Sequence, residues 1–570
     1  MAKNVFLPLL PASLCLLLAA CGLQATPEQD SATMPPAAAT PTRPFPADTL
    51  YSLLVAETAA SRNQLDIALA NYYQQAYKTR DPGVVRQATL LARHLNASQA
   101  VIDLAMLWAD LEPDNPEPLY LAGQYLVAFQ RLDQAMAQSR RLLAMDAQTL
   151  FVAIASSPGA RDEATRNQLQ QDYENLLQSY PDNIDLLLGR AILLEQQDDF
   201  EGSLASIARA RNVDSEDLRS RLFEVDLLYK SGRPDKAVKA MADIVNDDPE
   251  NDRLRLQYAR MLVDQDLEKA REQFDLLARH NSMDPDLLLA RALVNYRLKD
   301  NEQAKDQFEQ LLFLKKHTDS AHYYLGEMAL TADQPGKALE HYRRVEGGSE
   351  YLPAVIRSFS LMVQQDRRLE GQQWLSEQRR LHPALAVRLY LIEADTLLQY
   401  NDLPRSLAAL DEAILKNPDH VELYYARSLL HEKLGNAAAA EADLRLVLAR
   451  QPDNVDALNA LGYVLADSNR QLDEAYRLIN RALALRPEDP AIMDSMGWVL
   501  YRQGKLEESI MRLQQAFALY PNDEVAAHLG EVLWAAGKQQ EAEKIWREGL
   551  KLKADSELIR ATRARLLGTP

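Results

Sequence analysis

From about residue 47 onward, the chain repeats one hydrophobic pattern in which two stretches with apolar residues at helical spacing are joined by a short turn. The stretches 421–434 and 437–450 form one such pair, with Gly435 and Asn436 at the junction. Apolar residues three and four positions apart share one face of a helix, so each pair predicts two helices that bury their apolar stripes against each other. The predicted unit is a helical hairpin.

Small residues mark the phase of this repeat, because one recurs on the second predicted helix of almost every unit. Neighbouring markers are 32 to 35 residues apart, and Leu169 is the one large residue at the equivalent position. The small residues are Ala68, Ala100, Ala135, Ser203, Ala237, Ala270, Ala304, Ala338, Gly371, Ser406, Ala440, Ala475, Ser509 and Ala542. A missing side chain at a fixed position lets two helix backbones approach closely, so the regular phase predicts nested hairpins along most of the chain.

Glycine and proline mark the helix ends. Gly435, Gly504 and Gly537 stand where the first helix must end in a left-handed residue, a conformation that glycine adopts without steric cost. A proline follows the second helix of several units, as at Pro452 and Pro487, and disfavours helical geometry in the residue before it.

The pattern resembles the tetratricopeptide repeat (TPR), which has a small residue at position 8, Ala at 20, a large apolar residue at 24 and Pro at 32. With Ala440 as position 20, Ser428, Leu444 and Pro452 occupy the other three positions. The resemblance implies an all-α fold, a TPR solenoid of about 15 hairpins of about 34 residues, forming a right-handed superhelix with a concave wall.

Two interruptions suggest how the array is divided. The pattern weakens around 156–159 and at 346–349. We therefore expect N-terminal TPR-like repeats over 47–157, middle repeats over 160–346, C-terminal repeats over 350–554, and a capping helix and tail over 555–570. The interruptions are equally consistent with joints between sub-arrays and with ordinary loop insertions.

The first 46 residues have a different character. Residues 1–20 carry Lys3 and then an apolar run, which is typical of a secretory signal peptide. The sequence Leu-Ala-Ala-Cys-Gly at 18–22 resembles the bacterial lipobox, which implies lipidation at Cys21, although Cys21 could also stand near an ordinary cleavage site. By the same resemblance, Gly22 implies sorting to the periplasmic face of the outer membrane. The segment 21–46 is rich in Pro, Ala and Thr and predicts a disordered tether.

Composition excludes several classes of function. The formal net charge is −19, whereas nucleic-acid sites are basic, so no nucleic-acid partner is expected. Both cysteines, Cys15 and Cys21, lie in the leader region. No phosphate-binding glycine loop, nucleophile elbow or zinc-protease motif occurs. We therefore predict no catalytic residue, no metal site and no cofactor, and interpret the protein as non-enzymatic.

In TPR proteins the first helix of each hairpin lines the concave wall, mainly through positions 2, 5, 9, 12 and 13. Aromatic and polar residues at these positions become candidates for binding a partner, because aromatic residues and Arg dominate interface energetics. An alternative for Trp498 and Trp534 is that they pack between hairpins as core. The candidates are Tyr296, Arg297, Tyr323, Tyr425, Asn459, Tyr463, Asp494, Trp498, Tyr501, Arg502 and Trp534.

The lipobox, tether and long TPR array together resemble outer-membrane TPR lipoproteins of Gram-negative bacteria that serve as adaptors of carboxyl-terminal processing proteases. That resemblance implies a scaffold that binds a periplasmic protease and delivers substrates such as peptidoglycan hydrolases. The alternative is a structural assembly factor of an envelope machine for pili, secretion or exopolysaccharide export. No residue in the sequence identifies the partner.

Overall fold

The computed structural model describes residues 45–281 and 283–568, and every regular element in these two ranges is helical. The predicted signal peptide, Cys21 and the tether up to residue 44 lie outside the described residues. Within them, fifteen successive helix pairs and one further helix follow one another along the chain. The predicted all-α series of TPR hairpins is confirmed.

The bounds of the helices follow the predicted period of about 34 residues. In chain order the α-helices are Ala47–Ser61, Leu65–Thr79, Pro82–His94, Ser98–Leu111, Pro116–Ala128, Leu132–Ala144, Phe151–Ala155, Glu163–Ser179, Ile184–Glu195, Phe200–Val213, Leu218–Lys230, Pro234–Asp247, Asp252–Leu262, Leu267–His280, Pro285–Arg297, Asn301–Leu314, Thr318–Thr331, Pro335–Tyr342, Tyr351–Gln364, Arg368–Leu381, Ala386–Gln399, Leu403–Lys416, Val421–Lys433, Ala437–Arg450, Val455–Asp467, Leu472–Leu485, Pro490–Arg502, Leu506–Leu519, Asp523–Ala535, Gln539–Leu552 and Glu557–Leu567. Two short 3₁₀ helices occur at Pro158–Arg161 and Pro383–Leu385.

The helices group into two units, one ending at Leu311 and the other beginning at Leu312. In each unit the hydrophobic core is a series of clusters between neighbouring helices rather than one central mass. Successive hairpins therefore gain their stability from contacts with the preceding and following hairpins. The predicted divisions near 157 and 347 stay predictions.

A pairing of small and large residues sets the approach of the two helices within a hairpin. A Cβ added at Gly497 would lie 2.4 Å from Cγ of Leu513, and one added at Gly530 would lie 2.0 Å from Nε1 of Trp546. In the hairpin of Gly371, the large Phe359 occupies the first-helix position that corresponds to Gly497, and a Cβ added at Gly371 on the second helix would lie 2.7 Å from Cδ2 of Phe359.

The hairpin that contains Leu169 is the least regular, as its sequence predicts. Its first helix, Phe151–Ala155, has five residues and is followed by a 3₁₀ turn before the long helix Glu163–Ser179. Leu169 is nevertheless buried, and the buried Tyr173 hydroxyl donates a hydrogen bond to the carbonyl oxygen of Phe151 at 2.6 Å. This buried hydrogen bond thus adds to the apolar contacts between the short first helix and the second helix.

The turns inside the hairpins use a left-handed residue, as predicted. Gly435, Gly504 and Gly537 have φ of 73°, 80° and 78°. In other hairpins a residue with a side chain adopts the same conformation, for example Lys299 with φ 63° and Asn401 with φ 58°. The turn geometry is therefore retained where glycine is absent, at a conformational cost.

Candidate protein-binding face of the C-terminal hairpins

Four first helices, Val421–Lys433, Val455–Asp467, Pro490–Arg502 and Asp523–Ala535, pack side by side in the C-terminal unit. We use the name first-helix face for a set of polar and aromatic side chains that these helices carry. They are Tyr425, Glu432, Asn459, Tyr463, Asp467, Asp494, Trp498, Tyr501, Arg502, Glu524, His528 and Glu531.

Side-chain caps fix the starting points of three of these helices. Asn454 accepts a hydrogen bond from the backbone N–H of Ala457 at 2.9 Å, and Asn522 accepts one from Val525 at the same distance. Asp489 accepts bonds from the N–H groups that follow the helix-starting Pro490. Capping satisfies N–H groups that have no partner within the helix, so the sequence sets which residues of each helix reach the face.

A buried histidine–aspartate pair lies at the centre of the face. Nδ1 of His528 is 2.9 Å from Oδ2 of Asp494 on the neighbouring first helix, and both residues are less than a tenth exposed. The His528 ring stacks on Trp498 with ring centroids 4.4 Å apart, and its Nε2 lies 3.5 Å from the Tyr463 hydroxyl. Burial alone would lower the pKa of His528, but the carboxylates of Asp494, Glu524 and Glu531 together outweigh it and the pKa is raised.

Trp498 is held from two further directions. Its indole Nε1 donates to Oδ1 of Asp467 at 3.3 Å, and the Arg502 guanidinium lies 5.8 Å from the ring centroid. The same guanidinium donates to the carbonyl oxygens of Ala466 and Asp467. These contacts join two adjacent hairpins. Trp498 therefore belongs both to the packing between the hairpins and to the first-helix face.

At the C-terminal end of the face, Glu531 accepts a hydrogen bond from the Tyr501 hydroxyl at 3.4 Å and forms an ion pair with Arg565 of the last helix. Glu531 is only 3% exposed, and a buried carboxylate requires such a partner. Arg565 therefore neutralises this carboxylate from outside the four first helices.

Two other carboxylates on the face are exposed but partly desolvated. Burial by surrounding groups raises the pKa of Glu432, and the nearby carboxylates of Glu524 and Asp467 raise it further. Burial likewise raises the pKa of Glu524. The Tyr463 hydroxyl experiences the same field, since burial raises its pKa and these carboxylates add to the shift. The carboxylates of Glu432, Asp467 and Glu524 all raise the pKa of the Tyr463 hydroxyl.

The structure brings together seven of the predicted wall residues. Tyr463, Asp494, Trp498, Tyr501 and Arg502 are connected through the contacts above. Tyr425 is half-buried against the same core, and Asn459 lies on the same helix as Tyr463 with its side-chain oxygen buried and without a donor among the described residues. Trp498 is 5% exposed and packs between hairpins, as the alternative interpretation predicts, and it also contacts polar groups of the face.

The other four candidates lie elsewhere. Trp534 stacks on Trp546 of its own hairpin, with ring centroids 5.9 Å apart, and belongs to the core there. Tyr296 and Arg297 are in the N-terminal unit, where Arg297 lies 3.5 Å from Asp264. Tyr323 packs against Tyr324 and Tyr342. A role in binding stays a prediction for all eleven residues.

Several residues of the face are not among the candidates that the sequence predicts, most of which are aromatic residues or Arg. Glu524, Glu531, Glu432 and Asp467 occupy positions 2, 9, 12 and 13 of their hairpins, which are wall positions in the TPR pattern. Including Asp and Glu at these wall positions would have identified all four residues. His528 stands at position 6, outside the set, and carried no signal of its own.

Metal and membrane chemistry receive no support from the described parts of the chain. In residues 45–281 and 283–568, no group of three or more His, Cys, Asp or Glu side chains is arranged to hold a metal ion. None of the helices described there combines the length and the apolar character that crossing a membrane requires. The face offers hydrogen bonds, rings and negative charge, which suit noncovalent recognition.

Comparison with known families agrees with this architecture. The model of the tetratricopeptide repeat matches residues 224–287, 289–353, 393–447, 429–490 and 495–557. The chain belongs to the tetratricopeptide-repeat family. TPR proteins are scaffolds that bind other proteins, and the family is typically non-enzymatic, so this TPR chain is a protein-interaction scaffold.

Two relatives of the TPR chain come from Pseudomonas aeruginosa. The TPR repeat-containing protein PA4667 is 39% identical over 488 residues, which cover 85% of this chain and 82% of that protein. The type IV pilus assembly protein PilF is 29% identical over 151 residues, covering 26% of this chain and 59% of PilF. Among solved structures, yeast Tom70 matches 91% of this chain and 95% of its own at 13% identity, with a TM-score of 0.34.

Proposed function

We propose that this protein is a lipid-anchored periplasmic adaptor that holds a carboxyl-terminal processing protease and its substrates together at the outer membrane. Its layout resembles that of LbcA, the lipoprotein adaptor of the protease CtpA. The observation that carries the binding role is the first-helix face, where rings and polar groups from four hairpins are gathered on one side. A tethered scaffold raises the effective concentration of two bound partners without chemistry of its own.

The anchoring half of the proposal rests on Cys21 and the proline-rich segment after it. Several acyl chains on Cys21 would bury many methylene groups, at about 0.8 kcal/mol each, and would attach the protein without a spanning helix. Replacing Cys21 by Ala should therefore move the protein from the membrane fraction to the soluble fraction. Retention of the Ala variant in the membrane fraction would contradict the anchor.

The adaptor half is tested by affinity capture from detergent-solubilised envelopes, with mass spectrometry of the proteins that co-elute. We expect a serine protease and cell-wall hydrolases, and stronger capture when the protease is catalytically inactive. A folded variant with Tyr463 and Tyr501 both replaced by Ala should capture less, because both rings belong to the face. Undiminished capture by that variant would remove the face from the proposal.

A second candidate is a structural assembly factor of an envelope machine. The similarity to a pilus assembly protein over 151 residues favours this alternative. Stable docking into a machine would give stoichiometric, salt-resistant recovery of a membrane complex. An adaptor would instead release its partners after turnover and give substoichiometric recovery, so the stoichiometry of the captured proteins separates the two functions.

A further inference from the structure

The first hairpin of the array exposes large apolar side chains on one side of its first helix, Ala47–Ser61. Leu50, Tyr51 and Leu54 are 51%, 70% and 57% exposed, and Thr58 is exposed as well. Residues three and four positions apart lie on one side of a helix, so these four side chains form one continuous patch. We call this patch the N-terminal face.

Equivalent positions are buried in hairpins further along the chain. With Ala68 as position 20 of its hairpin, Tyr51 and Leu54 occupy positions 3 and 6. In the last three hairpins these positions are at most 8% exposed, and the residues are Leu458, Leu461, Ile492, Ser495, Val525 and His528. His528 shows what covers such a position, because its ring stacks on Trp498 of the preceding hairpin. Positions 3 and 6 are thus contact positions for a preceding hairpin.

The two ends of the array differ in how they are covered. At the C-terminal end, the added helix Glu557–Leu567 packs against Asp523–Ala535 and buries Ile559. At the other end, no described helix precedes Ala47–Ser61, so its positions 3 and 6 meet no preceding hairpin. Terminal repeats of a solenoid normally carry a polar outer face. An apolar face at this end therefore indicates a surface that another structure covers.

Charges at the ends of Ala47–Ser61 favour a second copy of the chain as the cover. Asp48 lies near the start of the helix, and Arg62 directly follows its end. Their separation of 14 residues is about 3.9 helical turns, which places both on the same flank of the N-terminal face. When two such helices pack antiparallel about a two-fold axis, each flank meets the same flank of the partner in reverse order. Asp48 of one copy then lies next to Arg62 of the other, at both ends of the pair.

Both charged groups are available for this contact. Asp48 forms an ion pair with Lys78, yet its side chain is 69% exposed. Arg62 is exposed and forms no ion pair with any other described residue. Together with Glu57 these groups carry no net charge, whereas the whole chain carries −19. Repulsion between two acidic copies is therefore weak at this face.

The size of the N-terminal face determines how strongly two copies associate. A large apolar side chain offers on the order of 150 Å² of surface, so the exposed parts of Leu50, Tyr51 and Leu54 amount to roughly 300 Å². A standard stable interface buries about 800 Å² on each partner. The face alone therefore supports a weak dimer in solution, and anchoring of both copies in one membrane raises their effective concentration.

We propose that two copies of this protein associate through the N-terminal face, with Ala47–Ser61 antiparallel to its counterpart and Leu54 beside the two-fold axis. The same patch is used by both copies, so the contact closes on itself and gives a dimer rather than a filament. The proposal rests on the proposed lipid anchor only for the local concentration of the copies. It uses no residue of the first-helix face, so each dimer presents two such faces to partner proteins.

Disulfide trapping in isolated envelopes tests the proposal. Both natural cysteines, Cys15 and Cys21, precede the described residues, so a cysteine introduced later in the chain is the only thiol there. Leu54→Cys places one thiol of each copy beside the axis, and mild oxidation should give a covalent dimer on a non-reducing gel. The matched control is Leu415→Cys, since Leu415 is 82% exposed on the second helix Leu403–Lys416. We expect roughly tenfold less dimer from the control, because a disulfide requires Cα atoms within about 7 Å of each other.

The direction of the pairing is tested with two further variants. Antiparallel helices place Tyr51 of one copy opposite Thr58 of the other. Co-expressed Tyr51→Cys and Thr58→Cys chains should therefore form a mixed disulfide dimer, and each variant alone should form roughly fivefold less. Each replaced residue is exposed, so the variants should fold, and thermal melting verifies this. A yield from Leu54→Cys no higher than from Leu415→Cys, or dimers of like with like only, would overturn the proposal.

Other covers of the face give different results. If a water-soluble maleimide fails to label Leu54→Cys and no covalent dimer forms, another protein or residues 22–44 cover the face, and the proposal is wrong. The lipid anchor is tested separately through Cys21→Ala. Retention of that variant in the membrane, with a Leu54→Cys dimer present, refutes the anchor alone. Release of that variant from the membrane, with no Leu54→Cys dimer, refutes the dimer alone.

Discussion

Replacing Gly530 by Ala tests whether small residues set the helix approach. The added Cβ would lie 2.0 Å from Nε1 and 2.5 Å from Cδ1 of Trp546, whose side chain is fully buried. Trp546 has little room to retreat, because it stacks on Trp534 and its Nε1 lies 3.5 Å from the Ala527 carbonyl oxygen. Overpacking of this kind costs about 1–3 kcal/mol, against roughly 0.5–1 kcal/mol gained from the better helix propensity of Ala.

Gly336→Ala is the matched control in the same unit, since no atom outside its own helix lies within 4 Å of the added Cβ. We expect a net loss of about 1–2 kcal/mol for Gly530→Ala and no loss for the control. Because hairpin arrays unfold in parts, urea unfolding should be combined with hydrogen exchange of residues 523–552. If Gly530→Ala exchanges no faster than wild type in that region, the packing argument is refuted.

Three further substitutions have expected outcomes. The pKa of Glu432 is raised in the folded state, so its negative charge lowers the stability of the fold above that pKa and has no such effect below the pKa of the unfolded state. Glu432→Gln should therefore raise the urea midpoint at pH 7 but not at pH 4. Because the pKa of His528 is raised in the folded state, its protonation contributes stability that is fully present below pH 6.5 and is lost as pH rises through the folded pKa. His528→Gln should therefore lower the free energy of unfolding more at pH 6 than at pH 9. A loss of stability that does not depend on pH would contradict the pair with Asp494. Lys299 has φ 63°, a left-handed conformation that glycine adopts more readily. Lys299→Gly should therefore stabilise the N-terminal unit by about 1 kcal/mol in thermal unfolding. A destabilised variant would show that the left-handed turn carries no strain.

Most of the fold could be predicted from the sequence because it is periodic. One misread hairpin does not disturb the phase of the others, and Ala440 or Gly530 marks the register of each crossing independently. The large Phe359 on the first helix, which faces Gly371, was harder to foresee. It depends on the combined volume of two facing residues, and the sequence pattern lists each position separately.

The site was predicted less completely, because a position on the wall does not determine what a side chain contacts there. Trp498 and Trp534 look alike in the pattern, yet Trp498 contacts His528 and Asp467, and Trp534 packs on Trp546. The following hairpin supplies His528 to the Trp498 ring, whereas the Trp534 ring stacks on Trp546 of its own hairpin. Such contacts between repeats require coordinates.

The most direct test of the central claim places a photo-crosslinking amino acid on each side of the C-terminal hairpins in intact cells. Glu432 and Glu524 report on the first-helix face, and Met511 and Leu485 report on exposed second-helix positions. The account predicts that the two face positions crosslink to another protein and that the two second-helix positions do not. Crosslinks confined to Met511 and Leu485 would contradict it.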